Sequence, residues 1–323
     1  MHTRPTIDDM YAARPHVYKY MSASPLLNHP GISKILGTQV WVKHENHNPT
    51  GAFKVRGGLN LAATLSESER SAGLFSASTG NHGQSIAYAA MQHGINATIA
   101  VPEGANPGKV KSMQNLGAEV VVYGSDFDTA RVWVEELAVD KGGRFVSPIE
   151  PALIAGVGTY ALEIIESLPD VETIIVPVGA GSGACATAIV AKSFNPNIQV
   201  IGVQSRQAPA MQQSWLNKNL LEAEMHTTAE GLATRVPFEF TQSIMRDLLD
   251  DFVLVDDALI DEATILLMEN THNLVEGAGA ASLAAAMSLR PVIKSRKTAL
   301  IMSGGNQSLE KLKALLVSRA SPD

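Results

Sequence analysis

The sequence lacks features that several classes of protein require. Among its 323 residues there is one cysteine, Cys185, which excludes an intramolecular disulfide and a cysteine-rich zinc module. No run of about 18 consecutive apolar residues occurs, so a membrane-spanning helix is not expected. The opening segment, MHTRPTIDDM, has no apolar signal-peptide core. We therefore expect a cytoplasmic protein without a membrane partner.

Positive charge and aromatic side chains are also scarce. Lysine and arginine number 25 against 32 aspartates and glutamates, and there are 8 Phe, 6 Tyr and 3 Trp. A nucleic-acid-binding protein needs a basic surface to neutralise phosphates, so no such partner is expected. The chain is instead 45% hydrophobic and 18% charged, which is the composition of a folded protein with a large core. Its length predicts two domains.

From Gly73 onward, short β-rich runs alternate with longer helical patterns. Helices are predicted over about 81–93, 106–116, 126–141 and 151–168, and strands over 173–178, 198–203 and 298–303. Such alternation is typical of parallel sheets covered by helices, so the fold is predicted to be α/β. The proline-rich segment 147–151 interrupts the pattern, which predicts two sheets with a ligand site in a cleft between them.

Ligands of open α/β sheets bind beyond the carboxyl ends of strands, and four segments at such ends carry polar residues or glycines. The first is KHENHNPTGAFKVRGG, residues 43–58, in which Lys54 begins a helix after a Thr50–Gly51 turn. The positive helix end and nearby Arg56 are expected to lower the pKa of Lys54, which would make it a nucleophile. Taken alone, the segment also fits a solvated lysine at a helix start.

The second segment, SASTGNHGQS, spans residues 76–85 between a strand and a helix. Ser78, Thr79, Asn81 and His82 crowd polar groups around backbone N–H donors, which is a favourable site for a carboxylate. The simpler interpretation is N-capping by Ser78 or Asn81. One cap needs one such residue, and here there are four.

The third segment, VPVGAGSGACAT, places three glycines at a helix start, as in a phosphate cradle: Gly179, Gly181 and Gly183. A dinucleotide site is the rival, but it requires an acidic residue about 20 positions on, and Gln204 stands there. A tight turn without a ligand remains the bland alternative. In the fourth segment, MSGGNQS, Ser303 ends a strand; alone it fits a turn into a helix with Asn306 as its cap.

Together the four segments supply a Schiff-base lysine, a phosphate cradle, a carboxylate-binding loop and a strand-end hydroxyl, which are the requirements of pyridoxal phosphate. The sequence resembles the fold type II pyridoxal-phosphate enzymes of the threonine and serine dehydratase group, which includes serine racemase. PTGAFKVRGG, STGNHGQ and SGGN carry the resemblance over about residues 5–316. It implies the tryptophan synthase β-like architecture, with residues 1–70 and 150–323 as a large cofactor-binding domain and 71–149 as a small inserted domain.

The resemblance also implies roles for single residues. Lys54 would be the Schiff-base lysine beside Phe53, Asn81 would meet the phenolic oxygen, and Ser303 would meet the pyridine nitrogen. The phosphate loop would be Gly179, Ala180, Gly181, Ser182 and Gly183. Gly231 would line the cofactor, and the substrate carboxylate would be bound by Ser78, Thr79, Asn81 and His82.

Two departures from relatives bear on activity. Some relatives bind a divalent cation through carboxylates where this chain has Gln204, Ala208 and Ala210, so no metal is predicted. Thr79 stands where racemases of the group have a catalytic serine. Threonine keeps the hydroxyl, so Thr79 joins Lys54 and Ser303 as a candidate catalytic residue, and racemase activity is neither supported nor excluded.

The expected activity is elimination of water from a β-hydroxy amino acid such as threonine or serine, giving a 2-oxo acid and ammonia. The alternatives are a serine or aspartate racemase and a dehydratase of a bulkier or acidic substrate such as phenylserine or 3-hydroxyaspartate. A nicotinamide-dependent oxidoreductase is the alternative from another class. A homodimer is the expected assembly.

Overall fold

The computed structural model describes residues 2–320, which form two compact units, each built around its own sheet. One unit comprises the described residues through Ser22 together with Lys54–Thr159, and the other comprises Ala23–Phe53 together with the chain from Tyr160 onward. The prediction of an α/β fold with two mostly parallel sheets is confirmed. The predicted domain boundaries stay a prediction; they differ from these units because residues 2–22, 54–70 and 150–159 group with the four-stranded sheet.

Strands and helices alternate along the described residues. The strands are β1 Leu26–Asn28, β2 Val40–His44, β3 Leu74–Ala77, β4 Ala97–Val101, β5 Glu119–Val122, β6 Arg144–Phe145, β7 Thr173–Pro177, β8 Gln199–Ser205, β9 Asp251–Val255 and β10 Thr298–Met302. The helices are α1 Ile7–Tyr18, α2 Pro30–Leu36, α3 Lys54–Thr64, α4 Glu67–Ala72, α5 Asn81–His93, α6 Pro107–Asn115, α7 Phe127–Asp140, α8 Pro151–Ser167, α9 Ser182–Phe194, α10 Ala210–Asn217, α11 Glu239–Leu248, α12 Asp257–Thr271, α13 Gly277–Ser288, α14 Arg290–Ile293 and α15 Leu309–Ala320. Short 3-10 turns span Glu45–His47 and Glu230–Leu232.

The larger sheet has the strand order β1-β2-β10-β7-β8-β9, and all of its pairings are parallel except that of β1 with β2. Every residue of β7 and β10 is buried, as expected for central strands covered on both faces. Val42, Ile175 and Leu300 belong to the core of this unit. The carboxyl ends of β2, β10 and β7 therefore lie side by side at one edge of the sheet.

The smaller sheet has the order β5-β4-β3-β6 and is parallel throughout. Its core is built from buried apolar residues of the strands and of the helices beside them, including Leu59, Leu74, Ile86 and Ile99. The predicted helices over 81–93, 106–116 and 126–141 are α5, α6 and α7. None of the helices formed by residues 2–320 is long and apolar enough to cross a membrane.

Glycines let helix α3, which begins with Lys54, approach its neighbours closely. A Cβ atom on Gly58 would lie 2.7 Å from the backbone oxygen of Ser85 in α5. A Cβ atom on Gly156 in α8 would lie 2.3 Å from the backbone oxygen of Arg56 and 2.8 Å from Cβ of Asn60. Because backbone atoms cannot move aside cheaply, α3 is held between α5 and α8 at distances that only glycine allows.

We predict that Gly156→Ala destabilises the protein, although alanine favours a helix over glycine by about 1 kcal/mol. The added methyl group must displace the backbone of α3, and such overpacking lowers the free energy of unfolding by about 1–3 kcal/mol. Urea unfolding measures the change. Gly108→Ala is the control, because its Cβ would meet only the Asn106 side chain, at 3.2 Å. A Gly156→Ala protein as stable as the control would contradict the close packing.

Candidate active site

The loop that leads to Lys54 is fastened to the end of strand β10. The Phe53 N–H donates to the Ser303 carbonyl at 3.0 Å, and the Gly305 N–H donates to the Gly51 carbonyl at 2.9 Å. Ser303 directly follows β10 and is 5% exposed. The backbone of Ser303 is therefore hydrogen-bonded to the segment that precedes Lys54.

Asn306 strengthens this attachment from the other side of the turn. Its side-chain amide donates to the Thr50 carbonyl at 2.8 Å. The interpretation of Asn306 as the cap of the last helix is wrong, because α15 begins later and Ser308 Oγ accepts the N–H of Lys311 there. Gly51 has φ +68°, and a Cβ at this position would lie 2.7 Å from Asn306 Oδ1, so the turn requires glycine for both reasons.

Lys54 is the first residue of α3, as predicted, and its amine lies 3.5 Å from the carbonyl oxygen of Pro148. Burial lowers the pKa of Lys54 to about 8. The predicted direction is confirmed, but its cause is loss of solvation rather than the charge of Arg56. The Arg56 guanidinium is fully buried and donates to Thr159 Oγ1 at 3.0 Å.

Helix α5 begins without a side-chain cap. Gly80 occupies the N-cap position, so capping by Ser78 or Asn81 is wrong as an explanation of this segment. Ser78 Oγ instead accepts the N–H of Gly80 at 3.2 Å, and Thr79 lies half-buried between these two residues. In the same unit α1, α4, α6 and α7 each have a side-chain cap. The start of α5 is therefore suited to an external anion such as a substrate carboxylate.

His82 is buried and held neutral. Burial, followed by the charge of Lys54, lowers the pKa of His82 to about 3. Its Nε2 lies 3.2 Å from the Val146 carbonyl, so that nitrogen carries the proton and donates. Its Nδ1 is then an acceptor, buried and without a hydrogen-bond partner among the described residues. Because a lone pair repels a carboxylate, a substrate carboxylate here would be bound through backbone N–H groups and not through the ring.

The predicted phosphate cradle lies between β7 and α9 in the six-stranded unit. Gly181 is the N-cap residue of α9, has φ +99° and has no side-chain cap. A Cβ on Gly181 would lie 2.9 Å from Cβ of Thr241, and a Cβ on Gly179 would lie 2.2 Å from the Gly231 carbonyl oxygen. Thr241 Oγ1 donates to the Ala180 carbonyl at 2.8 Å and steadies the loop. Backbone N–H groups at the start of α9 thus form a cradle that side chains would fill.

The sequence carries no signal for the contacts that Tyr160 makes beside the cradle. Tyr160 donates from its hydroxyl to the Gly183 carbonyl at 3.1 Å and lies 2.7 Å from Thr187 Oγ1. Its ring meets the Phe53 ring edge-on, with centroids 6.2 Å apart. In the four-stranded unit, the sequence likewise does not predict the carbonyls of Val146 and Pro148 beside His82 and Lys54, because backbone oxygens carry no residue-specific pattern.

Gln204 has a structural role, and it is not placed to contact a dinucleotide or a metal ion. Its buried amide donates to the Leu232 carbonyl at 3.3 Å and accepts the N–H of Gln212 at 3.1 Å. Leu232 follows Gly231, so this amide also fixes the turn that lies against the cradle. The amide of Gln204 is hydrogen-bonded within the protein at both ends. It is therefore not available to bind the ribose of a dinucleotide.

The structure thus assembles the predicted residues in two groups, one in each unit. Lys54 and the segment containing Ser78, Thr79, Asn81 and His82 belong to the four-stranded unit. Phe53, Gly231, Ser303 and the cradle Gly179, Ala180, Gly181, Ser182 and Gly183 belong to the six-stranded unit. The peptide bond between Phe53 and Lys54 connects the two groups.

Comparisons with known proteins agree with this chemistry. The model of the pyridoxal-phosphate dependent enzyme family matches residues 18–304. An L-threonine ammonia-lyase of Thermotoga maritima is 38% identical over 303 residues, which is 93% of this chain and 75% of the relative. A threonine deaminase of Solanum lycopersicum has a TM-score of 0.90 at 30% identity, covering 98% of this chain and 94% of its own. Maize serine racemase has a TM-score of 0.91 at 29% identity, covering 98% of both chains.

The fold and the site define a fold type II pyridoxal-phosphate enzyme. The chain belongs to the pyridoxal-phosphate dependent enzyme family, and its cofactor is pyridoxal phosphate. The residues present fit that group, because the cradle at Gly181 excludes side chains and the buried amine of Lys54 has a lowered pKa. The alternative from another class, a nicotinamide-dependent oxidoreductase, is therefore not supported by the family match.

We predict that Gly181→Asp weakens cofactor binding by at least about tenfold. A carboxylate beside the phosphate adds a repulsion on the order of 1–4 kcal/mol at about 4 Å. Cofactor retained after dialysis, measured by absorbance, reports the change. Gly37→Asp is the matched control, since Gly37 also has positive φ and its Cβ would meet nothing within 4 Å. Equal retention by the two variants would show that Gly181 does not line the cradle.

Activity is predicted to survive exhaustive treatment with EDTA. Ala208 and Ala210 are fully buried and apolar, and the amide of Gln204 is committed to Leu232 and Gln212. Within the described part of the chain, no group of three or more His, Cys, Asp and Glu side chains is arranged to hold a metal ion. The measurement is turnover before and after chelation, with and without added magnesium. Strict dependence on a divalent ion would sink this prediction.

Proposed function

We propose that this enzyme is an ammonia-lyase that eliminates water from a β-hydroxy amino acid such as threonine or serine, releasing a 2-oxo acid and ammonia. The observation that carries the proposal is the loop that leads to Lys54, a half-buried lysine of lowered pKa, and is hydrogen-bonded to the backbone of Ser303 at the end of strand β10. The name of the Thermotoga maritima relative, an L-threonine ammonia-lyase, supports the choice of substrate.

Pyridoxal phosphate, when bound, supplies an aldehyde that condenses with amines and a ring that accepts electrons from the substrate Cα. Lys54 would hold the aldehyde in the resting enzyme. Once its amine is free, Lys54 would remove the Cα proton as general base. With a pKa of about 8 in place of an ordinary value above 10, Lys54 is neutral in a far larger share of molecules at neutral pH.

Ser303 would meet the ring nitrogen and bears on the outcome of the reaction. A hydroxyl carries no charge, so it does not hold a proton on that nitrogen as a carboxylate would. A ring that retains electrons less strongly favours departure of the β-hydroxyl over return of a proton to Cα. Ser303 therefore supports elimination as the main reaction.

The remaining residues would bind and orient. The N–H groups from Gly179 to Gly183 would hold the phosphate, with Phe53 and Gly231 beside the cofactor and Asn81 at its phenolic oxygen. The start of α5, with Ser78, Thr79 and His82, would hold the substrate carboxylate. His82 would contribute its backbone N–H, since its ring Nδ1 is an acceptor.

Racemisation is the second candidate, and the likeness to maize serine racemase favours it. Thr79 has a hydroxyl where racemases of the group have a catalytic serine, so Thr79 would be the proton donor on the far face of the substrate. Chiral analysis of recovered L-serine and L-aspartate tests this activity. Assay of 2-oxo acid release from phenylserine and 3-hydroxyaspartate tests dehydration of the bulkier and acidic substrates.

We also propose that the enzyme acts as a homodimer in the cytoplasm. Two-fold dimers are the commonest assemblies of soluble proteins, and this prior supports the proposal. Light scattering of the purified holoenzyme measures its mass.

The proposed function predicts that Lys54→Ala abolishes release of 2-oxo acid from threonine and serine. Without the amine there is neither a covalent link to the cofactor nor a base at Cα, so borohydride should no longer fix cofactor on the protein. Coupled assay of the 2-oxo acid and the visible spectrum before and after borohydride are the measurements. Lys34→Ala, at an exposed lysine of α2, should leave both unchanged. Near wild-type turnover by Lys54→Ala would refute the assignment.

A further inference from the structure

Three of the charged side chains that the six-stranded unit buries form a network that the proposed chemistry does not use. Lys43 is 1% exposed, Glu163 is 6% exposed and Glu45 is fully buried. Lys43 forms an ion pair with Glu163. Removing charges from water costs several kcal/mol per ion unless partners compensate. A gain in stability is therefore a weak explanation for buried charges of this kind.

Ser24 joins these charges into one network, with each of its polar atoms in use. Its carbonyl accepts from Lys43 Nζ at 2.7 Å, and its N–H donates to Glu163 Oε2 at 3.3 Å. Its hydroxyl donates to Glu45 Oε1 at 2.5 Å. The ion pair thus fixes the backbone of Ser24, and the Ser24 hydroxyl fixes the carboxylate of Glu45.

The other oxygen of Glu45 reaches the loop that leads to Lys54. Asn48 Nδ2 donates to Glu45 Oε2 at 2.7 Å and lies 3.4 Å from the Ala52 carbonyl. The Asn48 carbonyl accepts the N–H of Gly51 at 2.7 Å and closes the turn. Asn48 is 7% exposed, so no water competes freely for its amide. The Glu45–Asn48 hydrogen bond therefore holds the first half of this loop.

We propose that Glu45 is a positioning residue for the reaction: through Asn48 it holds the Asn48–Phe53 loop so that the amine of Lys54 is presented to the cofactor aldehyde. The second half of the loop is held by Ser303, Gly305 and Asn306. Loss of the Glu45–Asn48 bond leaves the loop fastened on that side alone. Displacement of a reacting group by about 1 Å can cost on the order of a hundredfold in rate, so a small release of this loop has a large kinetic effect.

This inference rests on the proposed role of Lys54, and the two are tested separately. Borohydride reduction of the wild-type holoenzyme, followed by peptide mapping, should place the cofactor on Lys54. Absence of label from Lys54 in the wild type would remove the proposed function. Label on Lys54 in the wild type, together with reduced labelling in the Asn48→Asp variant, would support the positioning role.

The test exchanges the carboxylate and the amide. Asn48→Asp sets a second carboxylate against Glu45, and we expect kcat to fall on the order of tenfold to a hundredfold. The share of bound cofactor that a brief borohydride pulse fixes on Lys54 should fall as well. The double variant Glu45→Gln with Asn48→Asp reverses the bond, keeps the total charge and leaves an acceptor for the Ser24 hydroxyl, so both readouts should return toward wild type.

A buried hydroxyl elsewhere in the same unit provides the control. Thr264 is 1% exposed and donates to the Ile260 carbonyl within α12, so Thr264→Val should lower the melting temperature without changing the fixed share of cofactor. Should Asn48→Asp not fold, Asn48→Ala removes the same bond and is judged by the same readouts against Thr264→Val.

A double variant no better than Asn48→Asp would overturn the positioning role. The role would equally be overturned if single variants at Asn48 kept wild-type kcat and wild-type labelling of Lys54. Cofactor content after dialysis should stay at the wild-type level in every variant, since none of them alters the cradle at Gly181. A parallel loss of cofactor and labelling would mean that the network supports the fold and does not position the lysine.

Discussion

The hydrogen bond from the Phe53 N–H to the Ser303 carbonyl is the contact on which the rest of the site depends. Lys54 follows Phe53, so this bond holds the residue before the lysine at the end of strand β10. The residue after Ser303 is also confined, because a Cβ on Gly304 would lie 2.4 Å from Glu276 Oε1 and 3.1 Å from Cβ of Ala52. The PTGAFK and SGGN motifs are therefore two sides of one small interface, although they lie at opposite ends of the sequence.

The two helix starts at which a ligand is expected lack the side-chain cap that four helices of the four-stranded unit have. Thr6, Ser66, Asn106 and Asp126 accept N–H groups at the starts of α1, α4, α6 and α7. The helices α5 and α9 begin instead at glycines without a side-chain cap. A backbone N–H that no side chain satisfies needs another partner, such as water or an anion, and a carboxylate or a phosphate is a suitable one at these two glycine starts.

The buried Lys43 and the half-buried Lys54, both near this loop, have different partners. Lys43 forms an ion pair with Glu163, and the charges become part of a framework. Lys54 lies beside a backbone carbonyl, and burial lowers its pKa to about 8. A carboxylate next to Lys54 would favour the charged form and reduce its value as a base. The buried carboxylates lie elsewhere: Glu163 pairs with Lys43, and Glu45 accepts a hydrogen bond from Asn48 in the loop.

Much of the fold was predictable because its signals are local. The run TIIVP and the glycine with positive φ at Gly181 are each decided by a few adjacent residues, and the predicted helix over 81–93 coincides with α5. Arg56, by contrast, was expected beside the lysine from its proximity in sequence. In the structure it is buried against Thr159, and burial alone lowers the pKa of Lys54.

The sequence by itself determined the α/β class, the cofactor chemistry and the identities of the polar residues at the strand ends, because each depends on spacing within a short segment. Only the tertiary structure decided which atoms meet. The tautomer of His82 depends on the carbonyl of Val146, and the hold on the lysine loop depends on Ser24, whose role comes largely from its backbone. Backbone groups are the same in every residue, so their partners are chosen by the crossing of distant segments and not by any local pattern.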